Sequence, residues 1–402
     1  MTSEALAVHG GPKAIDFTPS LFSWFDTSDI EDVKNLLTSQ RLSGFLAQPG
    51  SPSLGGQNVL ELEKLFSEKY QTKHAISFNS WTSGLEAIFI ALDLPFNSEV
   101  ILPSWTMSAT AASIALANLN PVFCDIDKET FNLDPEKVLK LITPKTRAIC
   151  VVDIFGQPAD WPEFRRIADR YNLILVSDSA QTPLANVHEL SPLNFADIGG
   201  FSFNRHKHLQ TGEGGVALTN KNHYSERLRA IRNHGEVSAP EVKLNNRELY
   251  GHNWRLGEVE AILARKQLLK LPSMVEERRN TAHYFIDELR QFRGLRLPTR
   301  LPYAEHDYYI LGLHFDASKV GFSRDYAVQT LKAEGVDFVI GTYCELHNVA
   351  AYRNFRTGDL SVTNCLNRSE FLGLYICGYN FDKRLREATI HAFTKVWQNS
   401  TS

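Results

Sequence analysis

Lys207 lies within SFNRHKHLQTGEGG (202–215), between a short apolar run (Ile198, Phe201, Phe203) and a turn rich in glycine (Gly212, Gly214, Gly215). A lysine at the end of a buried strand loses hydration, which lowers its pKa and frees a nucleophilic amine for a Schiff base. The competing reading is a solvated loop lysine. Upstream, Leu173-Ile-Leu-Val176 reads as a buried strand that runs into Ser177-Asp178-Ser179-Ala180-Gln181, so Asp178 stands at a strand's carboxyl end. Such ends face ligand crevices in open α/β sheets; a cap of a turn or helix is the alternative. In Asn79-Ser-Trp-Thr82-Ser83-Gly84, a strand meets a helix beginning near Thr82. Thr82 and Ser83 can offer amides and hydroxyls to a phosphate at the favourable end of the helix dipole. They can equally form a plain N-cap.

A nucleophilic amine, an acid, a phosphate cup and a stacking aromatic are together what pyridoxal phosphate chemistry requires. The chain is similar to the DegT/DnrJ/EryC1/StrS sugar aminotransferases, within the fold type I pyridoxal phosphate enzymes. The resemblance rests on Ser202, Phe203, Lys207, Thr211, Gly212, Glu213, Gly214 and Gly215, and on the segments 99–106, 121–127, 155–160 and 251–256, all in the family's order. It implies pyridoxal 5'-phosphate on Lys207, with Asp178 keeping the pyridine nitrogen protonated. Trp105 would stack on the ring, an interaction of about 1 kcal/mol beyond burial, and Gln181 would border its phenolic oxygen. Thr82, Ser83 and Ser202 would hold the phosphate. The family's Gly-Thr step falls on Trp81-Thr82, so tryptophan replaces a glycine. Asn253 and Arg255, read as opening a helix, would reach the cofactor of a neighbouring subunit, making a homodimer with shared sites. The implied activity moves an amino group from glutamate or glutamine to a keto-sugar, nucleotide-linked, with pyridoxamine phosphate between the two halves.

Strand and helix patterns that must position these residues alternate along the chain, the signature of a mainly parallel sheet covered by helices. Strands are expected at 74–78, 99–102, 121–124, 147–152, 173–176, 198–203 and 216–219, with helices at 82–92, 107–118, 135–142 and 162–171. A long helix runs from Leu256 past Leu271; then come a strand at 308–315, a helix at 323–334 with a Ser cap and an amphipathic helix at 382–397. The fold class is therefore α/β and fold type I aminotransferase-like, with a cofactor-binding large domain at 20–260 and a smaller α+β domain at 270–402.

Composition narrows the function classes. With 402 residues, 43% hydrophobic, the chain can bury a large core. A net charge of −4 leaves no electrostatic footprint for nucleic acid or anionic membrane. Residues 1–17 lack a basic stretch followed by an apolar segment, and no apolar run is long enough to span a membrane, so a cytoplasmic protein is expected. Cys124, Cys150, Cys344, Cys365 and Cys377 lack metal-type spacing, so no metal site is expected and the thiols read as reduced. His306, Tyr308, Tyr309, Tyr343 and His347 are candidates for substrate contacts.

Two further classes share this scaffold. A deoxysugar dehydratase of the same family carries histidine at the lysine position; here the register puts Lys207 there, between His206 and His208. A ligand-sensing regulator on this scaffold would lack a reason to keep lysine, acid and phosphate positions together.

Overall fold

In the computed structural model of the chain, residues 4–22, 25–46, 53–235, 249–299 and 301–399 are described. Seven strands form one sheet: β1 (His74–Phe78), β2 (Glu99–Pro103), β3 (Asn120–Cys124), β4 (Thr146–Val152), β5 (Ile174–Asp178), β6 (Ile198–Ser202) and β7 (Gly215–Thr219). Their spatial order is β1-β7-β6-β5-β4-β2-β3. Only β7 runs against its neighbours; the other pairings are parallel, and β1 shares their direction. The residues that follow β1, β2, β5 and β6 consequently emerge at one edge of the sheet. That edge is where ligands bind in open α/β folds.

Alternation along the strands decides which helices cover which face. Ile76, Phe78, Val100, Leu102 and Val176 pack beneath α3 (Trp81–Ala91), α4 (Ser108–Leu116) and α7 (Asn222–Arg232), meeting Leu85, Ile88, Ile114 and Leu228. Ile101, Val122, Ile149 and Leu175 point the other way, onto α5 (Pro135–Leu141) and α6 (Trp161–Tyr171). Ala75, Phe201 and Val216 share that second face with α2 (Gln57–Lys69) and α8 (Glu258–Leu289). In α6 the buried Trp161, Phe164, Ile167 and Ala168 follow helical spacing behind the Asp160 cap. Each such side chain contributes roughly 1.5–3 kcal/mol when buried.

A second, antiparallel sheet, ordered β10-β11-β9-β8, is built from β8 (Leu295–Arg296), β9 (Ile310–Phe315), β10 (Val339–Ile340) and β11 (Phe371–Tyr375). Its core joins Leu311, Leu313 and Leu372 to α9 (Arg324–Ala333), α10 (Lys383–Asn399) and the later half of α8; Leu6 and Ile15 pack into the same cluster. The α/β class and the mainly parallel sheet match the sequence reading. The expected helix opening at Asn253 does not. Helix α8 starts at Glu258 behind Gly257, while Asn253 sits in an extended segment bridged to Asn233. Backbone bonds from His252 N to Ile231 O (2.7 Å) and from Trp254 N to Arg232 O (3.1 Å) keep that segment on the end of α7 instead.

One buried ion cluster anchors β1 to its covering helices. Glu63 of α2 accepts from Arg232 Nη1 (2.5 Å), Arg229 Nη1 (2.9 Å) and Ser77 N (2.9 Å). Burial pushes the Glu63 carboxyl up, but the two guanidiniums and the Ser77 amide outweigh it and hold the group below its ordinary range. Glu63→Ala should cost about 3–5 kcal/mol, because it strands the fully buried Arg232 without a counter-charge. Since the folded pKa is depressed, the wild-type contribution is present at neutral pH and fades as pH falls through that value. Urea denaturation at two pH values checks both points; a loss under 1 kcal/mol at pH 7 would contradict them.

Candidate active site

The loop that carries Lys207 leaves β6 and returns into β7, closed by bonds from Phe203 N to Gly214 O (2.8 Å) and from Arg205 N to Gly212 O (2.9 Å). Gly212 and Gly214 adopt φ of 86° and 148°, which only glycine takes without strain. Burial lowers the Lys207 pKa from the ordinary 10.5, while the negative charge of Asp178 acts in the opposite direction. The ammonium also lies 4.6 Å from the centroid of the Tyr309 ring, a cation–π position. A desolvated amine facing an acid is thereby assembled from β5, β6 and the second sheet.

Asp178 ends β5 and is 5% exposed. Its Oδ1 accepts from Trp81 Nε1 at 2.8 Å and its Oδ2 from Thr110 Oγ1 at 2.9 Å. The following turn is pinned by Asp153, which accepts from Ser179 Oγ (2.7 Å) and Thr182 Oγ1 (3.3 Å). Gln181 uses both ends of its amide: Oε1 accepts from Phe155 N (2.6 Å) and Nε2 donates to the Tyr343 oxygen (3.3 Å). Burial pushes the Tyr343 phenol up to about 12; the Gln181 bond opposes that rise and the Asp178 charge adds to it. Tyr343 is thus a neutral hydroxyl beside the acid.

The turn after β1 is capped by Ser80, whose Oγ accepts from Ser83 N (3.0 Å) and meets Ser83 Oγ at 2.8 Å. Helix α3 begins one residue earlier than expected, at Trp81. With the Ser83 amide taken by the cap, the amides of Trp81 and Thr82 are the first-turn donors left for an anion. Thr82 is exposed and Ser83 half-buried. Ser202 lies at the end of β6, its Oγ accepting from Asn204 N at 3.3 Å. These groups share the carboxyl edge of the sheet with Lys207 and Asp178.

Trp105 follows β2 and is 1% exposed, ringed by Phe131, Phe155 and Phe371 at 6.0, 6.2 and 5.1 Å in edge-to-face geometry. Its indole N–H has no partner among the described residues. Asn253 is exposed, whereas Arg255 Nε donates to Asn233 Oδ1 at 2.8 Å. The Trp254 carbonyl accepts from Asn79 N (2.9 Å), so this segment reaches the turn just ahead of Ser80 in its own chain. Among the substrate candidates, Tyr309 and Tyr343 belong to the site. His347 bridges Ser104 Oγ (2.6 Å) and Asn364 Oδ1 (3.0 Å) beside Trp105, and His306 stacks on Tyr308 at 4.0 Å. His206 is exposed; His208 is buried with its Nδ1 against Arg278 (3.3 Å). Neither replaces Lys207 opposite Asp178.

Sequence reasoning passed over Ser80, the Trp81 indole and Thr110. A Ser three residues ahead of Ser83 at a strand-to-helix step was a legible cap signal. Thr110 and Trp81 meet Asp178 across 68 and 97 positions, a contact that no local pattern encodes.

An amine of lowered pKa, a clamped carboxylate and a helix N-terminus at one sheet edge fit a phosphorylated pyridine aldehyde. Comparisons with known proteins agree. The DegT/DnrJ/EryC1/StrS aminotransferase family matches residues 42–371. The chain is 28% identical over 312 residues to the GDP-perosamine synthase of Caulobacter vibrioides, covering 76% of this chain and 82% of that one. It is 28% identical over 337 residues to the spore coat polysaccharide biosynthesis protein SpsC of Bacillus subtilis, covering 82% and 83%. The crystal structure of DesI in the presence of its TDP-sugar product superposes with a TM-score of 0.84 at 26% identity, covering 98% of this chain and 97% of that one. The chain belongs to the DegT/DnrJ/EryC1/StrS aminotransferase family and is a sugar aminotransferase.

Proposed function

We propose that this enzyme uses pyridoxal 5'-phosphate held on Lys207 to move the amino group of glutamate or glutamine onto a nucleotide-linked keto-sugar. The observation that carries the reading is the Lys207 amine, desolvated and set against the Asp178 charge. The names of the relatives support a nucleotide-linked substrate, one being a GDP-perosamine synthase and another a structure with a TDP-sugar.

When bound, the cofactor supplies an aldehyde for amines and a ring that accepts an electron pair. Asp178 keeps a proton on the ring nitrogen, which sustains that electron sink. Thr82, Ser83 and Ser202 bind the phosphate, Trp105 packs on the ring and Gln181 borders its phenolic oxygen. Lys207 Nζ, once displaced by the donor, takes the proton from the donor's α-carbon, a general-base step that contributes typically 10²–10⁴-fold. The Tyr309 ring stabilises the ammonium that results. Lys207 would pass that proton to the cofactor and, with the keto-sugar, take it back and deliver it to the carbon that becomes aminated. The large domain at 20–260 holds these groups and the smaller one at 270–402 brings Tyr309 and Tyr343 over them. No described helix is long and apolar enough to cross a membrane, in keeping with a cytoplasmic enzyme.

Asn253 and Arg255 serve the phosphate of the partner protomer, so the active form is a dimer. Two variants test this: Lys207→Ala, and Asn253→Ala combined with Arg255→Ala. Each should be inactive alone. Mixed under subunit exchange, they should yield heterodimers with one intact site and about half of wild-type activity. If Asn253 acts within its own chain, where Trp254 already holds Asn79, exchanged heterodimers will stay inactive. Release of the donor's keto acid in a single turnover, stoichiometric with bound cofactor, tests the first half-reaction.

A further inference from the structure

Trp81 stands where the family pattern has glycine, yet its side chain is neither loose nor on the surface: it is 5% exposed. Room for it comes from glycines on its own helix and on the neighbouring strands. A Cβ on Gly200 of β6 would lie 2.7 and 2.8 Å from the indole Cζ3 and Cη2, and one on Gly84 would lie 3.1 Å from Cε3. A Cβ on Gly215 of β7 would come within 2.6 Å of the Trp81 Cα. The sheet and helix therefore form a slot that fits the indole and directs its N–H toward the end of β5.

We propose that Trp81 is a positioning residue for Asp178, its indole N–H fixing the carboxylate that serves the ring nitrogen and tying that acid to the helix that holds the phosphate. The proposal rests on the reading of Asp178 given above. Trp81 Nε1 lies 2.8 Å from Oδ1, and Thr110 Oγ1 lies 2.9 Å from Oδ2. One donor comes from α3 and the other from α4, so the two oxygens are gripped from separate helices. An indole N–H only donates. It fixes the carboxylate's orientation without competing for the proton shared with a ligand, unlike a histidine or a hydroxyl in its place. Because the Trp81 backbone N–H belongs to the first turn facing the phosphate, one residue couples the two ends of the cofactor. A glycine at this position would leave Oδ1 without that donor.

Trp81→Phe keeps an aromatic ring in the slot and removes the N–H. Three readouts are compared in wild type, Trp81→Phe, Asp178→Asn and the double variant: kcat/KM, the affinity of apo-protein for pyridoxal phosphate, and the 15N resonance of ring-labelled bound cofactor. In the wild-type background Trp81→Phe should lower kcat/KM on the order of ten- to a hundredfold. It should also move the 15N resonance toward neutral pyridine. With Asp178→Asn already present, Trp81→Phe should add less than about twofold, the non-additivity expected of residues acting through one another. Should Trp81→Phe fold poorly, the benzothienyl analogue of tryptophan, equal in shape and lacking the N–H, carries the same test. Equal losses in both backgrounds with an unmoved 15N resonance would overturn the proposal. A wild-type resonance that Asp178→Asn leaves unchanged would overturn the reading of Asp178 itself, and the proposal with it.

Discussion

Lys207→Ala is expected to abolish the borohydride-reducible adduct with pyridoxal phosphate and to lower transamination by at least about four orders of magnitude, roughly 5.4 kcal/mol of barrier. Two proposed roles vanish with one amine, covalent attachment and proton transfer, and among the described residues no second lysine lies over the Tyr309 ring under the Asp178 charge. The fold should survive, because the loop is closed by its own backbone bonds and by Gly212 and Gly214. The pH dependence has a defined sign. Burial lowers the amine's pKa from 10.5, so adduct formation by the apo-protein should rise with pH and reach its midpoint below that of an ordinary lysine. Asp178 opposes the shift by favouring the ammonium; Asp178→Asn should therefore move the midpoint lower still. Peptide mapping after reduction checks the attachment, and an adduct on another lysine would refute it.

Asp178→Asn should reduce turnover by roughly three orders of magnitude, about 4 kcal/mol, while leaving the protein folded and able to bind cofactor. Asparagine has the same shape. Its amide oxygen can still accept from Trp81 and its amide nitrogen can donate to the Thr110 hydroxyl, so the contacts with both helices can persist. What disappears is the negative charge proposed to hold a proton on the pyridine nitrogen. Single-turnover measurements with donor alone separate this loss from any change in sugar binding. Near-normal rates would mean that another acid faces the ring.

Much of this was legible in the sequence because its signals were local. The buried runs of β4, β5 and β6, the glycine turn and the Lys207 register each lie within a dozen residues, and the parallel sheet follows from strand and helix alternation. Helix α1 (Thr27–Ser39) carried an equally local signal that was passed over, the reciprocal cap between Asp26 and Asp29. Helix α2 begins behind Gly56, which has no side chain to announce it. Asn253 misled because asparagine ahead of a helical pattern reads as a cap; it lies opposite Asn233 in a bridge closed by Trp254 N to Arg232 O and His234 N to His252 O, and Gly257 takes the cap position. The clamp on Asp178 was hidden for a different reason. Trp81 and Thr110 are brought to it by the packing of α3 and α4 on one face of the sheet, and only the folded chain records that.

The central claim is tested most directly by the second half-reaction. Apo-protein loaded with pyridoxamine phosphate is mixed with a panel of nucleotide-linked keto-sugars, and the cofactor absorbance and the sugar's mass are followed in a single turnover. One or more members of the panel should return the absorbance of the Lys207-bound cofactor and yield one equivalent of amino-sugar per site, with no such return in Lys207→Ala. Loaded protein that leaves every keto-sugar unaltered, yet is discharged by simple keto acids, would contradict the account.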